Sequence, residues 1–207
     1  MRVTGGRLCG RRLRVPSGNL VRPSTDRLRE SLFAHIAHGR GLAGERVLDV
    51  FAGTGSLGIE ALSRGAAEAV FVERAAPALA VLRENLAGLA LTDRARVARG
   101  DARSALRRLA GAGERFGLVF LDPPYGSGSL SEALARVPAL LAPGGDVWVE
   151  TGRHDPLPSP AGLAILDARP YGETRVTRWA AEAGVDETRA EPEAGVDETR
   201  TETGSSE

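Results

Sequence analysis

Residues 46–65, RVLDVFAGTGSLGIEALSRG, restrict the fold more than any other stretch of this chain. The run 46–50 reads as a buried strand. It passes through Gly53 and Gly55 into a helix over 56–64, which Gly65 stops. The same beat continues downstream. Strand 69–73 leads to helix 77–87, with Pro77 in its first turn and Gly88 just past its end. Strand 95–99 leads to helix 102–110, and strand 117–121 to helix 130–141, stopped by Pro143-Gly144-Gly145 before strand 146–150. Apolar strands alternating with helices predict a parallel sheet covered on both faces. Segments 163–168 and 174–180 read as two closing strands without a full helix between them, which places one antiparallel.

The ends differ from this body. Residues 2–15 alternate weakly around Gly5-Gly6 and Gly10 and predict a short hairpin with outward arginines. Ser24 or Thr25 can then cap a helix whose apolar face is Leu28, Leu32, Phe33 and Ile36, with Asp26 in its positive first turn. Residues 1–46 hold ten Arg against Asp26, Glu30 and Glu45, whereas 180–207 hold nine acids against Arg189 and Arg200. A formal net charge of zero therefore conceals a basic head, an expected polyanion contact, and an acidic tail. In that tail EAGVDETR occurs at 182–189 and again at 193–200, polar enough to predict disorder. The expected organisation is a basic hairpin (1–20), one α/β domain (21–180) and the tail (181–207). A single cysteine, Cys9, a polar amino terminus and the lack of any long apolar run point to a cytoplasmic chain with no membrane segment. His35 and His38 lack a nearby third ligand, so no metal is expected.

The Gly loop sets the chemistry. Gly53-Thr54-Gly55-Ser56-Leu57-Gly58 fits the dinucleotide-binding fingerprint, with Glu73 twenty residues beyond Gly53. A pyrophosphate there needs bare N–H groups, and Asp49 before the loop would repel it. A cationic nucleoside such as S-adenosylmethionine suits the carboxylate. On that reading Asp49 serves the ammonium end, directly or through water, while Gly53 and Gly55 let the backbone approach beside Phe51. Glu73 accepts from the ribose hydroxyls and Asp101 from the adenine amine, or Asp101 simply caps helix 102–110.

The stretch LVFLDPPYGSG (118–128) then supplies an acceptor site. Asp122 follows the fourth strand and can accept one N–H of an exocyclic amine, with a carbonyl of the Pro123-Pro124 turn accepting the other. Both bonds turn the amine lone pair toward the methyl carbon. Tyr125 can stack on a base flipped out of its helix or loop.

VLDVFAGTGSLGIEALSRGA and LDPPY together resemble the amino-group methyltransferases of the class I, Rossmann-like fold. GGRLCGRRLRVP, RPSTDRLRESLF and the closing YGETRVTRW narrow this to a resemblance, over residues 1–180, to the bacterial small-subunit ribosomal RNA (guanine-N2-)-methyltransferases, named for guanine 966 of 16S rRNA. The resemblance implies a seven-stranded sheet, S-adenosylmethionine as donor, and guanine N2 of 16S rRNA in an at least partly assembled small subunit as acceptor. It carries the cofactor and amine roles to Asp49, Gly53, Gly55, Glu73, Asp101, Asp122 and Tyr125. The family's RPTTDR element stands here as Arg22 to Arg27 with serine at Ser24. Arg22 and Arg27 are expected to face RNA along with Arg11, Arg12 and Arg14, and the enzyme is expected to act as a monomer. Methylation of a DNA adenine amine and NAD-linked oxidoreduction stay open as alternatives from the motifs alone. Deleting residues 181–207 should leave the melting temperature and turnover near their full-length values; thermal denaturation and a methyl-transfer assay of the truncated chain check this.

Overall fold

The computed structural model describes residues 1–15, 26–39, 41–124 and 128–182. Its strands are β1 (Arg46–Val50), β2 (Glu68–Glu73), β3 (Ala95–Arg99), β4 (Phe116–Leu121), β5 (Leu141–Gly152), β6 (Leu163–Tyr171) and β7 (Thr174–Ala181). They form one sheet in the order β3-β2-β1-β4-β5-β7-β6. Strands β1 to β5 pair in parallel, and β7 inserts antiparallel between β5 and β6. Parallel neighbours require crossovers, and the helices supply them: α2 (Ser56–Ser63), α3 (Ala76–Gly88), α4 (Ala102–Gly111) and α5 (Ser129–Leu134).

Two apolar layers result. On one face α1 (Asp26–His38), α2 and α3 bury Leu32, Phe33, Ile59 and Leu82 with Phe71, Phe120 and Trp148 of the sheet. On the other, α4 and α5 bury Leu106, Leu109 and Leu134 with Val50, Val72, Val119 and Val149. The chain order reverses between β1 and β4, and open α/β sheets bind ligands outside the carboxyl ends of strands at such a point.

The expected helix over 130–141 is corrected. Helix α5 ends at Leu134, and Val137–Leu140 forms a separate 3-10 turn with Pro138 at its start. Proline lacks an N–H and disfavours helical backbone in the residue before it, so the helix cannot run through. Strand β5 accordingly begins at Leu141, five residues earlier than its apolar core 146–150 suggests. Pro143-Gly144-Gly145 is not a helix stop but part of a bulge, where the β4–β5 register shifts between Phe116 and Leu118. A Cβ on Gly145 would lie 2.9 Å from the Ala142 carbonyl oxygen and 3.0 Å from that of Phe116, so only glycine fits.

Residues 1–15 double back as expected, but their arms pair through one bridge, Arg2 to Arg12, closed by a 3-10 turn over Gly6–Leu8. The segment is seated on the domain. Val3, Leu8 and Leu13 are buried. Thr4 donates from N and Oγ1, each at 2.8 Å, to the buried carboxylate of Glu60 on α2. Residues 21–25, with Arg22, Ser24 and Thr25, and the tail from 183 lie outside the described residues. Among the described residues, no helix is long and apolar enough to cross a membrane.

Gly58 lies on α2, where an added Cβ would stand 2.3 Å from the Phe71 ring. Gly58→Ala should cost about 1–3 kcal/mol in chemical denaturation through overpacking. Gly88→Ala, with nothing within 4 Å of the new methyl, should be neutral or stabilising by up to about 1 kcal/mol.

Candidate active site

Parallel pairing brings the carboxyl ends of β1, β2, β4 and β5 to one edge, each carrying an acid: Asp49, Glu73, Asp122 and Glu150. Asp49 lies within β1, opposite Phe71 of β2 and Phe120 of β4. It is fully buried, and its Oδ2 accepts the N–H of Gly58 at 2.9 Å. Gly58 is the third residue of α2, so a strand carboxylate caps the positive end of the helix that the loop opens. Burial pushes the Asp49 carboxyl up to about 7, against the Gly58 bond, with the charge of Glu73 adding to the rise.

Glu73 closes the other side of the loop. Its Oε2 accepts the N–H of Gly53 at 2.8 Å, and its Oε1 accepts those of Arg74 and Ala75, each at 2.7 Å. A carboxylate offers about four acceptor directions, so one remains for a ligand hydroxyl. These bonds give a structural reason to exclude a pyrophosphate. The N–H groups of Gly53 and Gly58 are both taken by protein carboxylates, whose charge would also repel an anion at the loop.

A cleft of about 330 Å³ opens beside the loop, within the range of nucleotide-sized ligand sites. Phe51, Glu73, Asp101, Asp122 and Pro124 line it. Phe51 holds φ at 63°, a left-handed conformation costing an aromatic residue about 1–3 kcal/mol. The surrounding fold imposes that backbone and sets Phe51 at the cleft wall. Asp101 is exposed and caps α4, its Oδ1 accepting the Ser104 N–H at 2.9 Å. That bond holds its carboxyl below the usual range. The cap reading is therefore realised, and the same side chain borders the cleft. Asp122 is half-buried; burial first, then the charges of Glu150 and Asp49, raise its carboxyl well above the ordinary value.

Asp49 stands behind the loop, buried and bonded to Gly58, and does not itself line the cleft. Gly55 has φ 83°, and an added Cβ would lie 2.3 Å from Leu82, so the loop has no room for a side chain there. Gly53 (φ 55°) faces open space apart from the Phe51 carbonyl. Pro123 is buried and Pro124 exposed, whereas Tyr125 falls outside the described residues.

Among the described residues, none of the basic head lines the cleft. Arg11 and Arg14 are exposed, but Arg11 donates to the Gly88 carbonyl at 3.3 Å and Arg14 pairs with Glu84 at 2.8 Å. Arg12 and Arg27 are exposed as well. Sequence reasoning missed Asn85 and Arg29. Asn85, buried on α3, accepts the Arg14 N–H and donates to the carbonyls of Arg14 and Thr54, joining head to Gly loop. Arg29, buried on α1, donates to the Arg2 carbonyl and to Asp26. Neither residue stands in a recognisable motif; an arginine among the apolar positions of α1 is the one faint signal. Among the described residues, no group of three or more His, Cys, Asp or Glu could hold a metal ion.

Comparison with known proteins gives the family. Residues 1–180 match the family model described as Conserved hypothetical protein 95. YlbH of Bacillus subtilis is 40% identical over 179 residues, covering 85% of this chain and 96% of its own. Ribosomal RNA small subunit methyltransferase D of Escherichia coli is 36% identical over 186 residues, covering 88% and 91%. The solved structure of yhhF from Escherichia coli superposes with a TM-score of 0.77 at 36% identity, covering 88% of this chain and 98% of that one.

Asp49 generates a stability test. Between about pH 4 and pH 7 the unfolded chain releases this proton while the folded chain keeps it, so the unfolded state binds fewer protons. The contribution of this group is thus complete below about pH 4 and declines by about 1.4 kcal/mol per unit as pH rises to 7. Asp49→Asn keeps an oxygen for Gly58 and removes the ionisation. Its stability relative to wild type should climb from pH 5 to 7 and level off above, in denaturation series on the ligand-free protein. A constant difference would mean that folded Asp49 is already ionised.

Proposed function

The chain belongs to the Conserved hypothetical protein 95 family, and on that premise we propose that it is an S-adenosylmethionine-dependent methyltransferase of small-subunit ribosomal RNA, acting on the N2 amine of a guanine. The observation that carries this reading is the pair of carboxylates that occupies the Gly-loop N–H groups beside an acid-lined cleft ending at Asp122. Such a cleft disfavours a phosphate and favours a cation. The name of the Escherichia coli relative supports ribosomal RNA as the acceptor, and the resemblance described from the sequence supports guanine 966 of 16S rRNA.

When bound, S-adenosylmethionine would supply an electrophilic methyl group for the amine nitrogen, with its sulfonium sulfur as the leaving group that keeps the C–S electron pair. The chain's residues prepare that exchange. Glu73 keeps one acceptor direction for a ribose hydroxyl, Asp101 borders the cleft for the adenine, and the Phe51 ring walls it. Asp122 accepts an N–H of the amine, so the nitrogen lone pair points away from the carboxylate and toward the cleft. As positive charge grows on nitrogen, Asp122 offsets it and takes up the departing proton or passes it to water. The Pro123-Pro124 turn holds this acceptor with little ordering left to do. Tyr125 is assigned to stacking on the base, and Arg11, Arg12, Arg14, Arg22 and Arg27 to RNA phosphate.

Asp122→Ala should lower single-turnover methyl transfer to small subunits by about 10² to 10³ while binding of S-adenosylmethionine holds. Asp122→Asn, which keeps one acceptor oxygen, should retain more. Because a protonated Asp122 cannot take up the proton, the wild-type rate should fall as pH drops through its raised value, and Asp122→Asn should flatten that limb. Full activity in Asp122→Ala would remove this residue from the mechanism.

A further inference from the structure

The Asp122-Pro123-Pro124 turn has two sides. One faces the cofactor cleft, which Asp122 and Pro124 help to line. The other faces a second recess of about 240 Å³, bordered by Pro123, Pro124, Leu130, Pro156, Pro158 and Glu150. Its walls are largely apolar, four proline rings and Leu130, and apolar side chains are among those that hold a flipped base. Glu150 is its distinctive polar group. It follows Val149, which pairs with Leu121, the residue before Asp122. The two residues therefore stand one step beyond the last pair that β4 and β5 share, on neighbouring strands whose backbones run about 4.8 Å apart. Glu150 is the first of the two charges that act on Asp122.

Asp155 and Thr151, two further polar residues of the recess, are bonded within its wall. Asp155 Oδ2 accepts the Gly152 N–H at 2.9 Å. Arg175 on β7 donates to the Asp155 carbonyl and, at 3.4 Å, to Thr151 Oγ1. A Cβ on Gly152 would stand 2.8 Å from Asp155, so the bend after Thr151 is closed tightly against that side chain.

We propose that Glu150 selects the acceptor base, by accepting the ring N1–H of guanine while Asp122 accepts from the neighbouring N2 amine. This rests on the methyl-transfer reading above. An ionised carboxylate only accepts hydrogen bonds. Guanine presents N1–H and the N2 amine side by side, a row of donors that matches two adjacent carboxylates. Adenine and cytosine present a bare ring nitrogen beside their amine. That lone pair would face the Glu150 oxygens, leaving two acceptors opposed and desolvated. The Asp-Pro-Pro turn alone admits any exocyclic amine; Glu150 supplies the discrimination that the turn lacks.

2-Aminopurine tests this directly, because it keeps the N2 amine but has a bare N1. Small subunits are reconstituted with rRNA carrying guanine or 2-aminopurine at the methylated nucleotide, and kcat/KM is measured for wild type, Glu150→Gln and Glu150→Asp. Wild type should prefer guanine by about 10- to 100-fold, the scale of one well-placed base contact. Glu150→Gln, whose amide can donate to a bare N1, should lose most of that preference. Glu150→Asp, which keeps the carboxylate, should retain it in part. Melting temperature and S-adenosylmethionine affinity should stay at wild-type values in both variants, which separates recognition from folding. An unchanged preference in Glu150→Gln would overturn the assignment of Glu150 and leave the methyltransferase reading standing. Failure of the wild-type protein to form N2-methylguanine on any subunit would overturn that reading, and this one with it.

Discussion

Mutual repulsion among acids at one edge of the sheet governs this molecule. Asp49, Glu73, Asp122 and Glu150 come together because β1, β2, β4 and β5 run parallel and end on the same side. Each has to be neutralised, bonded or solvated. Asp49 is held by the amino end of α2 with its proton affinity raised, and Glu73 by three backbone N–H groups. Asp122, pressed by burial and by two neighbouring charges, is left holding its proton well above the ordinary range. A cation in the adjoining cleft would relieve that pressure and favour the ionised form of Asp122.

A second requirement follows from α2. Leu57 to Ser63 are all buried, so the helix needs cover on the side away from the sheet. Residues 1–15 provide it. Glu60 would be a costly buried charge but for Thr4 and Arg64, whose Nε donates at 2.8 Å. Ser63 accepts from Leu8 and donates to the Gly5 carbonyl. The basic head is thus part of the packing around the Gly loop as well as a charged surface. Asn85 makes the connection short, since one amide group bonds both Arg14 and the Thr54 carbonyl.

Much of this was legible in the sequence, because local periodicity and loop chemistry set it. Strands β1 and β3 begin and end where their apolar runs do, and α1 buries Leu28, Leu32, Phe33 and Ile36 as its spacing requires. An antiparallel closing strand followed from the missing helix between 168 and 174. The helix expected to run to 141 failed because Pro138 outweighed the apolar pattern around it, and the glycines after it answered a bulge, not a helix end.

The sequence by itself determined the order of elements, the parallel core and the residue types at the site, since periods of two and 3.6 and the reach of short loops are local properties. It could not say what each polar atom meets. Only the tertiary structure decided that Asp49 caps α2 and that Gly55 makes room for Leu82. It alone brought Glu150 beside Asp122. Those outcomes depend on strand order and register across tens of residues, distances that no local pattern in the chain encodes.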